Sequence, residues 1–207
     1  MNRLILCFLL LSNSIRGADF EKFFPTLIRL EGILFTVTQY DKGGATKFGV
    51  TLSRYKQYCA YKKIEVLICD KNKDGKVDER DLQVTVLRDV KPIYHEDYWD
   101  AVKASEFRRQ SIAELYVDLI VNSGFGKDFQ HVKALQRIVR VEPDGKIGKQ
   151  TIAAINKSPP IQLYNKLYNY RLDYYNKIAV GTQKKFLKGW KNRLVKLKTK
   201  HQNEKFA

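Results

Sequence analysis

The sequence predicts a mainly α fold with one short β-hairpin or ordered loop behind the first helix. Three observations lead there. Apolar residues recur at i, i+3, i+4 and i+7 in one segment after another, the spacing of helices with one buried stripe. β-branched and aromatic residues concentrate between Ile33 and Val50, with Gly43-Gly44 supplying a tight turn. No internal repeat and no low-complexity linker interrupts the pattern. A chain of 207 residues with 44% hydrophobic and 29% charged residues can bury a sizeable core, which excludes wholesale disorder and fibrous repeats. The length suits one domain or two small ones built against each other.

Residues 1–18 read as a signal peptide. Arg3 gives a short positive start, Leu4 to Leu11 is an unbroken apolar run, and small or polar residues follow. The run is too short to cross a bilayer, and no later segment is long and apolar enough to do so. Cys7 lies inside the run, which argues against a lipid-anchored mature cysteine. The expectation is an exported soluble protein, periplasmic or extracellular, acting as a monomer.

From Asp19 onward the elements follow in order. Asp19 caps a helix whose apolar face is Phe20, Phe23, Phe24, Leu27, Ile28 and Leu30, with Gly32 as its stop. After the hairpin region, residues 51–63 return to helical spacing. An acidic loop runs from Asp70 to Asp81. Leu82 to Trp99 reads as a helix broken near Pro92. Ile112–Val121 and Val132–Val139 are apolar helices joined by a Gly-marked connection. A shorter helix starts at Thr151 and ends at Ser158-Pro159-Pro160. Ile161–Lys177 is aromatic and amphipathic, and the tail from Lys184 carries a lysine-rich face opposite Phe186, Leu187, Trp190, Leu194 and Leu197. A soft boundary near residue 100 divides a first part, 19–100, from a second, 101–207.

The charge balance narrows the partners. Lys and Arg number 38 against 22 Asp and Glu, a net charge of +16. Such a field favours polyanions: nucleic acid, anionic lipid, or the anionic polymers of a bacterial wall. Export turns the expectation toward the wall and away from nucleic acid. With Cys7 removed, Cys59 and Cys69 form either a disulfide or two small buried hydrophobes. Their spacing gives no zinc site.

The chemistry centres on Glu31. A carboxylate at a helix C-terminus among apolar neighbours meets the negative end of the helix dipole and incomplete solvation, and both favour its protonated form. Such an acid can protonate a glycosidic oxygen near neutral pH. Ten residues on stands Asp41, and five further Thr46. Across a hairpin these two can hold one attacking water, while Gly43 and Gly44 let the backbone turn tightly under a sugar.

From Leu30 to Thr51 the pattern L-E-G-x(8)-D-x-G-G-x-T-x-x-G-V-T resembles the opening motif of glycoside hydrolase family 108, the N-acetylmuramidases of phages and bacteria. The resemblance implies a lysozyme-like helical fold and Glu31 as the catalytic acid. Asp41 and Thr46 are similar to the Glu/Asp/Thr arrangement of phage-type lysozymes. One departure stands beside the acid: Ile33 and Leu34 occupy places where the family usually has a second Gly and an aromatic. Tyr94, Tyr98 and Trp99 resemble the family's aromatic segment, and Tyr98 and Trp99 are candidates to stack on sugar rings. Asn122-Ser123-Gly124, Leu135-Gln136, Asp144-Gly145-x-Ile147-Gly148, Thr151 and Phe186–Arg193 resemble the family's C-terminal peptidoglycan domain.

These readings together describe a peptidoglycan hydrolase that cuts the β-1,4 bond between N-acetylmuramic acid and N-acetylglucosamine. A lytic transglycosylase and a wall-binding protein without catalysis are the alternatives. No cofactor is expected for the chemistry. Separately, Asp70, Asn72, Asp74, Gly75, Lys76, Asp78 and Asp81 follow the EF-hand spacing. Oxygen ligands stand at positions 1, 3, 5, 9 and 12, Gly at 6, and the Lys76 carbonyl at 7, so a structural Ca2+ is expected there.

Overall fold

In the computed structural model, which describes residues 17–37, 44–61 and 69–206, Asp19 opens helix α1 (Phe20–Glu31) by accepting the Glu21 amide at 2.8 Å. Gly32 closes it at φ +89°, a left-handed value that favours glycine. The expected apolar face is buried: Phe23 and Leu27 are fully enclosed, with Phe20, Phe24 and Ile28 beside them. Pro25 lies inside the helix without ending it. The signal-peptide expectation falls on residues 1–16, outside the described residues, apart from its last two positions.

The hairpin is small. Strand β1 (Thr46–Lys47) pairs antiparallel with β2 (Val50–Thr51), Thr46 opposite Thr51 and Lys47 opposite Val50. Thr36 adds one bridge to Thr46. Helix α2 (Leu52–Tyr61) follows directly, and Cys59 near its end is joined by a disulfide to Cys69, with Cα atoms 6.3 Å apart. Helix α3 (Glu79–Val84) leaves the acidic loop through an Asp78 cap. Lys47 reaches from β1 to the carbonyls of Gln83 and Thr85, which fixes the hairpin to the end of α3.

The expected break near Pro92 lies elsewhere. The chain turns at Thr85–Val86, where Thr85 is extended (φ −59°, ψ 149°) and the Asp89 carboxylate accepts the Val86 amide at 2.9 Å. Pro92 sits inside α4 (Leu87–Tyr94), which continues as one π-helical stretch over His95–Asp100. A capping carboxylate thus outweighs a proline as the local boundary signal.

Helix α5 (Gln110–Ser123) is the axis of the molecule. Every residue from Ser111 to Ile120 is buried, as expected for a helix apolar nearly all round. Gln110 ties its start to the start of α1 by hydrogen bonds with the Asp19 backbone at 2.7 and 2.9 Å. Helices α6 (Gln130–Ile138), α7 (Lys149–Lys157), α8 (Pro160–Ile178) and α9 (Leu187–Asn203) complete the described fold, with α8 packed on α5, α6 and α9. The result is mainly α, with one two-stranded sheet among the described residues. A single buried cluster takes side chains from α1 through to Leu194 and Leu197 of α9.

Within α6–α7, Gln136 is buried. Its amide donates to Asp144 at 2.6 Å, the Lys146 carbonyl at 3.0 Å and Thr151 at 3.3 Å, and its oxygen accepts the Gly145 amide at 2.9 Å. These bonds knit the turn.

Candidate active site

Glu31 ends α1 and points inward. Its side chain is 16% exposed. Three elements surround it. From the hairpin, Gly49 (φ +77°) lies so close that a Cβ there would stand 2.7 Å from Glu31 Oε2 and 2.6 Å from the Tyr94 hydroxyl. That close approach requires glycine twice over, by conformation and by space. From α4, Tyr94 donates its hydroxyl to the Phe48 carbonyl at 2.7 Å and so pins the hairpin turn beside the acid. From α9, Arg193 donates to Glu31 Oε1 at 2.5 Å.

Arg193 belongs to a longer chain of charge. It grips the fully buried Asp118 of α5 with Nη2 at 2.6 Å and Nε at 2.9 Å. Asp118 is held from its other side by the fully buried Arg171 of α8 at 2.5 Å, and Arg171 donates to the Tyr175 hydroxyl at 2.7 Å. Tyr175 in turn donates to Asn122 at 2.8 Å. Buried charges persist only when paired and hydrogen-bonded, and this cluster meets that condition through α1, α5, α8 and α9.

The two carboxyl groups respond oppositely. Burial pushes Glu31 above the usual carboxylate range; Arg193 pulls the other way without overcoming it, and the nearby Asp118 charge adds to the rise. For Asp118 burial is again the largest influence, yet Arg171 and Arg193 together hold it below the usual range. The surroundings of Glu31 therefore favour its protonated form, and those of Asp118 the ionised form. The cause at Glu31 is burial of the side chain between the hairpin turn, α4 and α9, where the sequence pointed to the helix end and apolar neighbours.

The other predicted site residues fall out differently. Asp41 and Gly43 lie outside the described residues. Thr46 sits in β1 and Gly44 just before it at φ +76°, both in the region whose turn abuts Glu31. Tyr98 is half-buried, its ring 5.9 Å from that of Tyr94 and beneath the Arg54 guanidinium at 5.9 Å. Trp99 is a correction. It is wholly enclosed, stacks on Phe23 at 5.9 Å and donates its indole N–H to Ser105 at 2.7 Å, so it is core and offers no face to a sugar. Ile33 and Leu34 are 60% and 74% exposed, so the departure beside Glu31 changes surface and not packing.

The acidic loop has the backbone of its predicted motif. Gly75 takes φ +84°, and its amide donates to Asp70 at 2.7 Å. The buried Asp81 accepts the amides of Lys71, Asn72 and Asp78 at 2.7, 3.1 and 2.7 Å. Arg80 sits on Asp74 and Asp78. Among the described residues no three His, Cys, Asp or Glu side chains gather as they would around a metal ion. The oxygens face the loop's own amides and Arg80, so the donor set does not fit an ion as it stands.

The sequence reading missed Asp118, Arg171 and Arg193 as members of the site. A signal existed: Glu114 and Asp118 are the two acids inside the otherwise apolar IAELYVDLIV, and an acid on a buried helix must find a cationic partner.

Residues 24–124 match the family model described as Glycosyl hydrolase 108, and residues 130–195 match a Predicted Peptidoglycan domain. The chain is also similar to a solved structure, that of Brucella abortus SagA, with a TM-score of 0.67 and 28% identity over 87% of this chain and 92% of that one. No curated protein matches it. In that order, a glycosyl hydrolase 108 region followed by a peptidoglycan region supports a peptidoglycan hydrolase. Glu31 and Asp118 belong to the first matched region and Arg193 to the second.

Proposed function

We propose that the protein is an N-acetylmuramidase. It hydrolyses the β-1,4 bond between N-acetylmuramic acid and N-acetylglucosamine, with Glu31 as the general acid. The observation that carries this reading is a carboxyl group of raised proton affinity, buried against a hairpin turn inside a glycosyl hydrolase 108 match. Glu31 gives its proton to the bridging oxygen, the bond to the anomeric carbon breaks with its electron pair going to that oxygen, and positive charge develops on the sugar ring. Asp41 and Thr46 are assigned to the water, Gly43, Gly44 and Tyr98 to the glycan.

The disulfide Cys59–Cys69 supports export, since such bonds persist in oxidising compartments. The basic surface supports a polyanionic wall as the partner. Among the described residues no helix is long and apolar enough to cross a membrane. A structural Ca2+ in the acidic loop rests on the residue spacing alone; Asp70, Asn72, Asp74, the Lys76 carbonyl, Asp78 and Asp81 would hold it only after Arg80 moved aside and Asp81 gave up the loop amides.

Purified protein and Glu31→Gln, incubated with peptidoglycan, test the reading by mass spectrometry of the released glycans. Reducing N-acetylmuramic acid ends from the wild type alone are expected. Anhydro ends would replace it with the transglycosylase, and equal products from both proteins would remove Glu31 from the chemistry.

A further inference from the structure

The link between Glu31 and α9 joins the two matched regions at the reacting group. We infer that Arg193 is a positioning residue for Glu31, so that the second region, besides any binding of wall, completes the catalytic site of the first. The inference rests on Glu31 being the general acid.

The atoms define the role. An arginine has donors and no acceptor, so Glu31 Oε1, which receives Arg193 Nη2 at 2.5 Å, is an acceptor. The transferable proton then sits on Oε2, the oxygen turned toward Gly49 and Tyr94. Arg193 cannot swing with the acid, because two of its nitrogens hold the fully buried Asp118, itself held by Arg171. One carboxyl oxygen is thereby fixed and the other presented to the hairpin. When the proton leaves Oε2, the new carboxylate faces a guanidinium already in place, which stabilises charge as it forms. The charged and titratable groups facing Glu31 are Arg193 from α9, Asp118 from α5, Arg171 from α8, Tyr94 from α4 and Tyr98 from the π stretch.

Arg193→Met, Arg193→Gln and Arg193→Lys test this. Gln keeps a donor for Asp118 and guards against a Met variant that does not fold. In the uncharged variants kcat should fall about tenfold or more, as misplaced catalytic groups do, with KM for peptidoglycan little changed. The alkaline limb of their pH–activity profile should move to higher pH, because a cation that favours ionised Glu31 is gone and Asp118 loses part of its compensation. Lys should restore the limb and part of kcat. A folded Arg193→Gln with wild-type kcat and an unmoved limb would overturn the inference, as would a loss of kcat with the limb unmoved, which marks a merely structural role. The two readings separate: activity in Glu31→Gln removes the acid itself, whereas an inert Glu31→Gln beside a normal Arg193→Gln removes Arg193 alone.

Discussion

Two successive turns of α5 carry the same device with different outcomes. Asp118 and Glu114 lie one turn apart, both fully buried, and each meets a cation from α9. At the Glu114 end every donor converges on one carboxylate: Lys200 at 2.6 Å, His201 Nε2 at 2.9 Å, and Gln110 at 2.9 Å. Burial there would raise the proton affinity, but these hydrogen bonds hold Glu114 below the usual range. Tyr164 closes the far side of His201 at 2.8 Å. The group is saturated and serves as a fastening. At the Asp118 end Arg193 is shared with a third carboxyl, Glu31, whose proton affinity burial raises. The comparison teaches that burial alone does not set the proton affinity of an acid; the cations and donors that converge on it decide the direction.

Breaking the fastening should have the largest effect on stability. Glu114→Gln leaves Lys200 and His201 facing a neutral amide, and a buried pair broken on one side costs about 3 kcal/mol or more. Denaturant unfolding should show that loss, while turnover per folded molecule stays near wild type. Glu31→Gln should do the reverse: melting at or above wild type, because a poorly solvated acid is gone while Arg193 keeps Asp118, and turnover lost.

Acidification sharpens the same contrast. Asp118 and Glu114 have lowered proton affinities in the folded chain, so their contribution is fully present above the ordinary carboxylate range and is lost as pH falls through their lowered values. Glu31 has the opposite sign. Its cost appears as pH rises out of the carboxylate range toward its raised value. Thermal melts across pH should therefore show a steep loss on the acid side and a mild one on the alkaline side. Constant melting from pH 7 to 3 would contradict the pairing of Asp118 and Glu114. The smallest effect belongs to calcium: excess calcium against chelator should raise Tm by a few degrees only if Arg80 leaves Asp74 and Asp78, and coincident curves would remove the ion.

Much of the fold was legible because the local rules agree. Asp19, the 20–30 apolar stripe and Gly32 all specify α1, and glycines with aromatics mark the hairpin. Two things escaped. The break at Thr85–Val86 depends on where Asp89 bonds, which a proline rule does not see. The Asp118–Arg193–Glu31 chain depends on packing α9 against α1 and α5, a contact across 162 residues that no spacing rule encodes. Trp99 shows the converse: an aromatic motif does not say which ring faces out, and only its place between Phe20 and Phe23 does.

The central claim is that Glu31 holds its proton where glycan chemistry needs it. Carbon-13 titration of the Glu31 carboxyl, set beside the pH dependence of kcat/KM on peptidoglycan, tests it most directly. The account predicts one midpoint above the ordinary carboxylate range, coincident with the alkaline loss of activity. A Glu31 that titrates within or below that range, or an activity limb unrelated to its midpoint, would contradict it.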